Sequence, residues 1–593
     1  MTEKILVCTA WPYANGDLHI GHLAGAYLPP DIFARYHRLR GNNVLMVSGS
    51  DSHGTPITLK ADAEGVSPVE VFERYHLRFL QTFQDIGVTY NLFTHTDTEN
   101  HAKVAQDIFA ACLENGFIYN HTEQQFYSET EGRFLPDRYI EGTCPKCGFD
   151  GARGDQCDNC KSLLDPTDLI NPRSKNDGST PVLRETEHFY LDLQKLNEDV
   201  LDYLSTGKEH WRPNVINFSL QYAKDGLKGR AITRDIEWGI PLPLSGYEDK
   251  RLYVWFEAVI GYFSASVEYA ANVGQPELWK EWWYDPAAKT YYFIGKDNIP
   301  FHTVIWPAEL MATGRRLYET DPNKQLNLPY DVPANEYLNM EGEKLSTSRN
   351  WAIWAPDLLE RYDPDPIRFY LNAIAPESRD TDFTFEGFIR RNNDELVATW
   401  GNLVNRVLGF AYKRYNGKVP EIGPAGLDDA DRQIIAEVEA GFQSVGDLLA
   451  AVKLKAAQEE AMRLAKAANV YLDGKAPWKA IKDDPVAAGT SVYVALRVID
   501  NLKILFAPFL PHTCQKLHEY LGYDGQLFGR QYVEEFTETE RVHKALCYDG
   551  SLAVGRWEAS QLQPGQSLRK PAPLFKKLEP ELAAQEIARL TQG

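Results

Sequence analysis

Residues 4–22 read KILVCTAWPYANGDLHIGH, and they constrain the chain more than any other stretch. Ile5, Leu6 and Val7, continued by Cys8, Thr9 and Ala10, make the short apolar run of a buried strand. Pro12, Asn15, Gly16 and Asp17 break it into a tight turn. From His19-Ile20-Gly21-His22 onward, Leu23, Ala24 and Tyr27 fall at helical spacing, so the turn opens a helix. The two histidines, at i and i+3, share a face of its first turn. Unpaired N–H groups at a helix start favour phosphate, the imidazoles add two donors, and Gly21 lets a nucleotide approach the backbone. A bare HxxH also suits two surface histidines.

A second strand, 43–47, runs into Ser48-Gly49-Ser50-Asp51-Ser52-His53-Gly54-Thr55-Pro56. Strand–helix–strand with short glycine-bearing turns predicts a parallel, doubly wound (Rossmann-type) sheet, with ligands beyond the carboxyl ends of its strands. The HIGH stretch and Asp51 both fall at such ends, although Asp51 also suits a cap on the next helix. Helical patterns follow at about 67–86 and 97–115.

The strand–turn–helix phrase resembles the HIGH signature of class I aminoacyl-tRNA synthetases, and its upstream half, AWPYANG, is most like the methionyl family. The resemblance implies that His19 and His22 are catalytic, that with Gly21 they hold ATP, and that Asp51 faces the amino group of the bound amino acid.

At 593 residues the chain needs about three to five units. A hydrophobic content of 44% and a charged content of 24% are those of an ordinary soluble protein. The absence of a signal peptide or long apolar run predicts a cytoplasmic protein with no membrane association. A net charge of −21 argues against a blanket nucleic-acid-coating surface, so any RNA contact is expected from local basic and aromatic patches.

From about 117 to 235 the pattern changes to short strands, turns and loops. Within it, Cys144-Pro145-Lys146-Cys147 and Cys157-Asp158-Asn159-Cys160 are separated by nine residues. Four thiolates at this spacing predict one structural zinc, tetrahedral and closed, with an iron–sulfur cluster as the alternative. A closed site does not catalyse; it holds together a lobe with little apolar area of its own. Cys8, Cys112, Cys514 and Cys547 are isolated and read as buried or inert. The insertion resembles the connective domain of these synthetases, with a single knuckle. It is too short for the separate editing domain of the leucyl, isoleucyl and valyl enzymes, which leaves the smaller cysteinyl type open.

The sheet is expected to resume at Thr233-Arg234-Asp235, followed by the aromatic run 253–262 and by 292–302, with Trp306 beyond. Trp255 and Tyr262 fall on one helix face, and Phe256, Phe293 and Ile294 read as core. An aromatic pocket suits a polarisable thioether. By resemblance, Ala10, Trp11, Tyr13, Asp51, Trp255, Val259, Tyr262, Asn298, His302 and Trp306 surround methionine. Trp11 and Val259 stand where bacterial relatives often have Leu and Pro. Gly295 and Asp297 resemble the adenosine-binding turn, and Arg234 the activation-step arginine.

Residues 335–350 read as a glycine-bearing hairpin feeding a hydroxyl-rich loop. KLSTS at 344–348 resembles the KMSKS loop, which implies that Lys344 is catalytic and that Lys344, Ser346 and Thr347 meet ATP. Thr347 departs from the loop's second lysine; a hydroxyl does not replace that charge, and Lys344 or Arg349 is left to supply it.

After about 385 the chain reads as almost wholly helical, with amphipathic stretches near 430–472 and 487–508. Asn402 and Arg406, at i and i+4, share a face, and Trp478 sits beside a proline turn. Asn and Arg can bond base edges and a Trp can stack an unpaired base, although Trp478 alone equally suits core packing. In this order the three resemble the family's CAU anticodon readers, and the stretch from Arg569 resembles its closing tail.

The expected organisation is a split Rossmann-type catalytic domain (1–116 and 233–325) interrupted by a zinc-knuckle insertion (117–232). A KLSTS-bearing stem-contact region (326–385), an all-α anticodon-binding bundle (386–545) and a tail (546–593) follow. The resemblance implies a monomeric methionine–tRNA ligase that uses Mg-ATP, L-methionine and tRNA(Met). The rivals are another class I ligase of similar size and a non-catalytic tRNA-binding paralogue.

Overall fold

The computed structural model describes residues 2–592 apart from 155, 156, 158, 161, 163, 165, 347–350 and 540. The expectations for Thr347 and Arg349 therefore fall outside the described residues.

One seven-stranded sheet organises the N-terminal half. Its strands are β1 (Lys4–Thr9), β2 (Asn43–Ser50), β3 (Leu92–His95), β4 (Lys289–Gly295), β5 (Ala334–Asn335), β6 (Arg530–Thr537) and β7 (Val542–Asp549), in the order β5-β4-β1-β2-β3-β7-β6. The first five in that order run parallel, with Val7 beside Met46 on one side and Tyr291 on the other. Both faces are covered, so β1 and β2 read apolar throughout: Ile5, Leu6, Val7, Cys8, Leu45, Met46 and Val47 are all fully buried. Helices α1 (Leu28–Leu39), α2 (Pro68–Ile86), α3 (Glu99–Glu114) and α4 (Val254–Asn272) cover the sheet.

Two departures concern sheet membership. Return to the sheet was expected at 233, but Thr233–Arg234 pairs with Arg251–Leu252 in a separate two-stranded ribbon, and the sheet resumes only at β4. The aromatic run from 254 is helix α4, because its bulky residues repeat at helical rather than alternating spacing. The second departure lies in the region expected to be all helical. Its bundle is present as α5 (Asn402–Arg414), α6 (Asp429–Ala450), α7 (Leu454–Lys475) and α8 (Pro485–Phe506), but β6 and β7 form a hairpin whose β7 pairs antiparallel with β3. The hairpin closes an edge that four-residue β3 would otherwise leave open to pairing.

The two halves are also joined in the core. Arg368 and Asp31, both fully buried, pair at 2.6 Å, and Arg368 donates further to the carbonyls of Gly87 and Pro508. The insertion carries its own sheet and a small core around Phe126, Tyr139, Ile140, Cys144 and Cys157. It is not all strand and loop: helices Asn197–Ser205 and Pro213–Lys224 lay Val200, Leu204 and Val215 onto the catalytic core, with Trp211 from the connection between them. The tail returns as well, with Glu586 of its last helix bonded to Arg361 and Tyr362. Among the described residues no helix is long and apolar enough to cross a membrane.

Candidate active site

A cavity of about 540 Å³ opens beyond the carboxyl ends of β1, β2 and β4. The strand–turn–helix at 4–22 builds one wall. Ile20–His22 is a single helical turn that passes through a π-helical turn, Leu23–Tyr27, into α1. The His19 and His22 rings stack with centroids 3.7 Å apart. The N–H groups of this turn are not left open for phosphate as expected. His19 Nδ1 accepts from Gly21 N at 3.1 Å and His22 N at 3.4 Å, His22 Nδ1 accepts from His19 N at 3.2 Å, and Ile20 N donates to Ile353 O.

Burial keeps both rings neutral, and this self-capping sets which nitrogen carries the proton. Burial lowers the His22 pKa to about 4 and that of His19 well below the usual value, with the neighbouring His22 adding to the effect. A neutral ring whose Nδ1 accepts carries its proton on Nε2, so two Nε2–H groups are what the pair can offer an anion. Gly21 is required by close approach: a Cβ there would lie 2.8 Å from Leu345 Cδ1, in the KLSTS segment. Residues 353–355, beyond that segment, strap onto the turn, with Ala355 N donating to Leu18 O and His19 bridging to Trp354.

Ala10, Trp11, Tyr13, Asp51, Trp255, Val259, Tyr262, Asn298 and His302 line the other end of the same cavity, with Gly295, Asp297, Lys344 and Ser346 between. Trp255 stacks on Phe301 at 4.4 Å and meets Tyr13 edge-on. His302, its pKa lowered to about 4 by burial, donates from Nδ1 to Asn298 O at 2.9 Å, which leaves Nε2 to accept from the Tyr262 hydroxyl at 2.7 Å. Trp11 has room because Gly261 faces it; a Cβ there would come 2.6 Å from the indole. Asp51 does not cap the next helix, whose first-turn neighbour is Gly54; its Oδ1 accepts from His53 N at 3.2 Å.

Two expected residues stand elsewhere. Trp306 is fully buried behind the wall, with Nε1 donating to the Tyr292 hydroxyl at 3.0 Å and its ring against Trp283. Tyr292 links it to the Tyr262 and His302 rings that line the cavity. Arg234 lines a smaller hollow of about 120 Å³ beyond Tyr13 and Trp255. Its guanidinium lies 3.9 Å from the Tyr253 ring centroid, and its ribbon belongs to the insertion side of the site.

Other residues were missed. Tyr337 donates to Asp297 and carries Lys296 on its ring at 3.9 Å and Lys344 at 4.5 Å, so one aromatic links the adenosine-type turn to the KLSTS hairpin. Glu257, His53 and His101 form a buried network beside Asp51. A lone acid inside the apolar run of α4 was its one visible signal.

Away from this cavity, the Sγ atoms of Cys144, Cys147, Cys157 and Cys160 all lie within 4.8 Å of one another. A tetrahedral zinc–thiolate site has sulfurs about 3.8 Å apart, and the pairs Cys144–Cys160 (3.9 Å) and Cys147–Cys157 (3.6 Å) fit it. At the far end of the chain, Arg406 lies over half-buried Trp478, while Asn402 is exposed one helical turn earlier.

Known proteins match along the whole chain. The family model for tRNA synthetases class I (M) matches residues 5–408, and that for the anticodon binding domain of methionyl tRNA ligase matches residues 419–547. The methionine–tRNA ligase of Thermomicrobium roseum is 57% identical over 592 residues, spanning 100% of this chain and 99% of that protein. That of Chloroflexus aggregans is 56% identical over 600 residues, with the same coverage. Among solved structures, Mycobacterium tuberculosis methionyl-tRNA synthetase bound by methionyl-adenylate superposes with a TM-score of 0.75 at 23% identity, covering 97% of this chain and 100% of that one. At that identity the superposition speaks for the fold.

Proposed function

The chain belongs to the methionyl family of class I aminoacyl-tRNA synthetases, and from that premise we propose how its residues divide the work of a methionine–tRNA ligase. The observation that carries the reading is the single cavity that brings the HIGH turn and the Asp51–aromatic pocket together. An oxygen of the methionine carboxylate attacks the α-phosphorus of Mg-ATP; the new O–P bond makes methionyl-adenylate, and pyrophosphate leaves. The terminal ribose hydroxyl of tRNA then attacks the acyl carbon and AMP departs. Such chemistry depends on positioning and charge stabilisation more than on an enzymic base.

On this reading the Nε2–H groups of His19 and His22 donate to the phosphates, and Lys344, held on Tyr337, closes over the pyrophosphate side. Asp297, fixed by the Tyr337 hydroxyl, accepts from the ribose. Asp51 takes the ammonium, and the wall of Trp11, Tyr13, Trp255, Val259 and Tyr262 takes the thioether chain. Arg234, in the hollow beyond Trp255, reaches the reacting phosphate only if that wall moves. The four cysteines hold one zinc, which fixes the fold of the insertion and takes no part in the reaction. Asn402, Arg406 and Trp478 read the anticodon, and the protein acts as a cytoplasmic monomer. The domain limits 1–116, 117–232, 233–325, 326–385, 386–545 and 546–593 follow these roles, except that 530–549 also completes the catalytic sheet.

Amino-acid-dependent ATP–pyrophosphate exchange tests the reading. Methionine alone among the standard amino acids is expected to drive strong exchange; equal exchange with leucine or cysteine would overturn it. One methylene is worth only about 1–3 kcal/mol in such a pocket, so some leak with close analogues is expected.

A further inference from the structure

Behind the Asp51 end of the cavity lies a set of charges that no step above uses. Glu257, fully buried on α4, accepts from His53 Nδ1 at 3.1 Å through Oε1 and from His101 Nε2 at 2.7 Å through Oε2. His101 is held from its other side by the Ser264 hydroxyl at 2.7 Å. His53 presents Nε2 to Asp97 at 3.6 Å, and Asp97 is paired with Arg541 of the C-terminal hairpin at 2.5 Å.

Asp51 differs from its neighbours. It is 4% exposed, takes the His53 backbone N–H, and has no cation paired with it among the described residues. A buried carboxylate without a counter-ion is costly, and Asp51 is left as one while the His53 imidazole is held by Glu257 and Asp97. Arg541 is shared between Asp97 and Glu538, so a charged His53 still leaves Asp51, Glu257 and Asp97 wanting a further positive charge. An ammonium group supplies that charge.

We propose that Glu257 is a positioning residue for the amino group of the amino acid: it takes the His53 ring as its own partner and so keeps Asp51 as the one unpaired carboxylate an incoming ammonium meets. The proposal rests on the reading of Asp51 given above. The electrostatics agree with it. Burial opposes charging of His53, yet the Glu257 and Asp97 carboxylates overcome it and raise its pKa to about 10. Burial, and then Glu257, raise the Asp51 carboxyl well above its usual value, as expected of a group whose cation arrives with the substrate.

The test compares methionine with its desamino analogue, which has hydrogen in place of the amino group. The analogue is used as a competitor in the exchange assay, on variants first shown to be folded. The wild-type preference for methionine over the analogue should fall about tenfold or more in Glu257→Gln, while analogue binding and the KM for ATP stay within about twofold. In that variant His53 is released toward Asp51, so His53→Asn/Glu257→Gln should recover most of the preference, a rescue that a merely structural role would not produce. Asp51→Asn is the control. If it leaves the preference intact, the reading of Asp51 falls and this proposal with it. If it abolishes the preference while Glu257→Gln does not, or if the double variant recovers nothing, the proposal alone is overturned. Should Glu257→Gln not fold, Glu257→Asp draws the charge back from His53 by one methylene, and an unchanged preference there overturns the proposal as well.

Discussion

The Arg406 guanidinium lies over the Trp478 indole, 4.3 Å from the ring centroid, and its Nη2 donates to Asp473 Oδ1 at 2.7 Å. Trp478 is half-buried, packed on the helical core and covered by that guanidinium. If Trp478 stacks an anticodon base, Trp478→Ala removes about 1–3 kcal/mol of tRNA recognition and leaves exchange nearly unchanged. Arg406→Ala is expected to behave likewise, because it frees the indole to turn. His22→Ala should do the opposite, with exchange collapsing and tRNA binding kept. Both assays on each folded variant decide the matter: a Trp478→Ala protein that loses exchange as fully as charging would mark Trp478 as core.

One zinc per chain is expected from metal analysis of protein purified without chelator. Cys144→Ser or Cys157→Ser should lose it and open the insertion to proteolysis, because the core around those cysteines is too small to hold alone. The knuckle lies apart from the cavity lining, so charging should fall more than exchange. Metal-free wild-type protein would refute the assignment.

Stability should decline as pH falls from about 6.5 toward 4. Burial lowers the pKa of His22, His76 and His302 to about 4 and of His37 to about 3. In that window the unfolded chain binds protons that the folded chain refuses, at up to about 1.4 kcal/mol per pH unit for each group. His53 has the opposite sign: raised to about 10, its contribution is complete below the unfolded value near 6.5 and is lost only as pH rises toward 10. It cannot offset the acid loss. Urea midpoints at neutral pH and near pH 5 check this, and equal midpoints would count against it.

The C-terminal hairpin is held by contacts of unequal weight. His543 Nε2 meets Glu268 at 3.1 Å with both side chains about 5–6% exposed, whereas Arg541, paired with Asp97, is 40% exposed. His543→Ala strands a buried carboxylate that, among the described residues, keeps the Thr94 hydroxyl, and should cost about 1–3 kcal/mol. Arg541→Ala should cost about 1 kcal/mol or less. Denaturant unfolding ranks the two, and the reverse order would show that the hairpin is anchored at its turn.

Glu257 shows where reading along the chain stops. In sequence it is one acid among apolar helix residues, and nothing near it in the chain names a partner. His53 and His101 reach it from positions 204 and 156 residues away. Arg234 and Trp306 stand apart from the cavity lining for a related reason: by sequence both sit beside site residues, yet one lies on a separate ribbon and a helix buries the other.

The sequence alone determined whatever depends on neighbours in the chain: the strand–turn–helix around His19 and His22, the four cysteines at knuckle spacing, the hairpin before Ser346, and the helix face shared by Asn402 and Arg406. Each is set by local periodicity, turn chemistry or ligand spacing. Only the tertiary structure decided what depends on distant segments meeting. It capped the HIGH turn with its own imidazoles and strapped it with residues 353–355. It brought the hairpin 530–549 to the edge of a sheet begun at residue 4, and set Glu257 against His53 beside Asp51. Buried charge balance and sheet-edge pairing are properties of the packed whole, and no stretch of sequence carries them by itself.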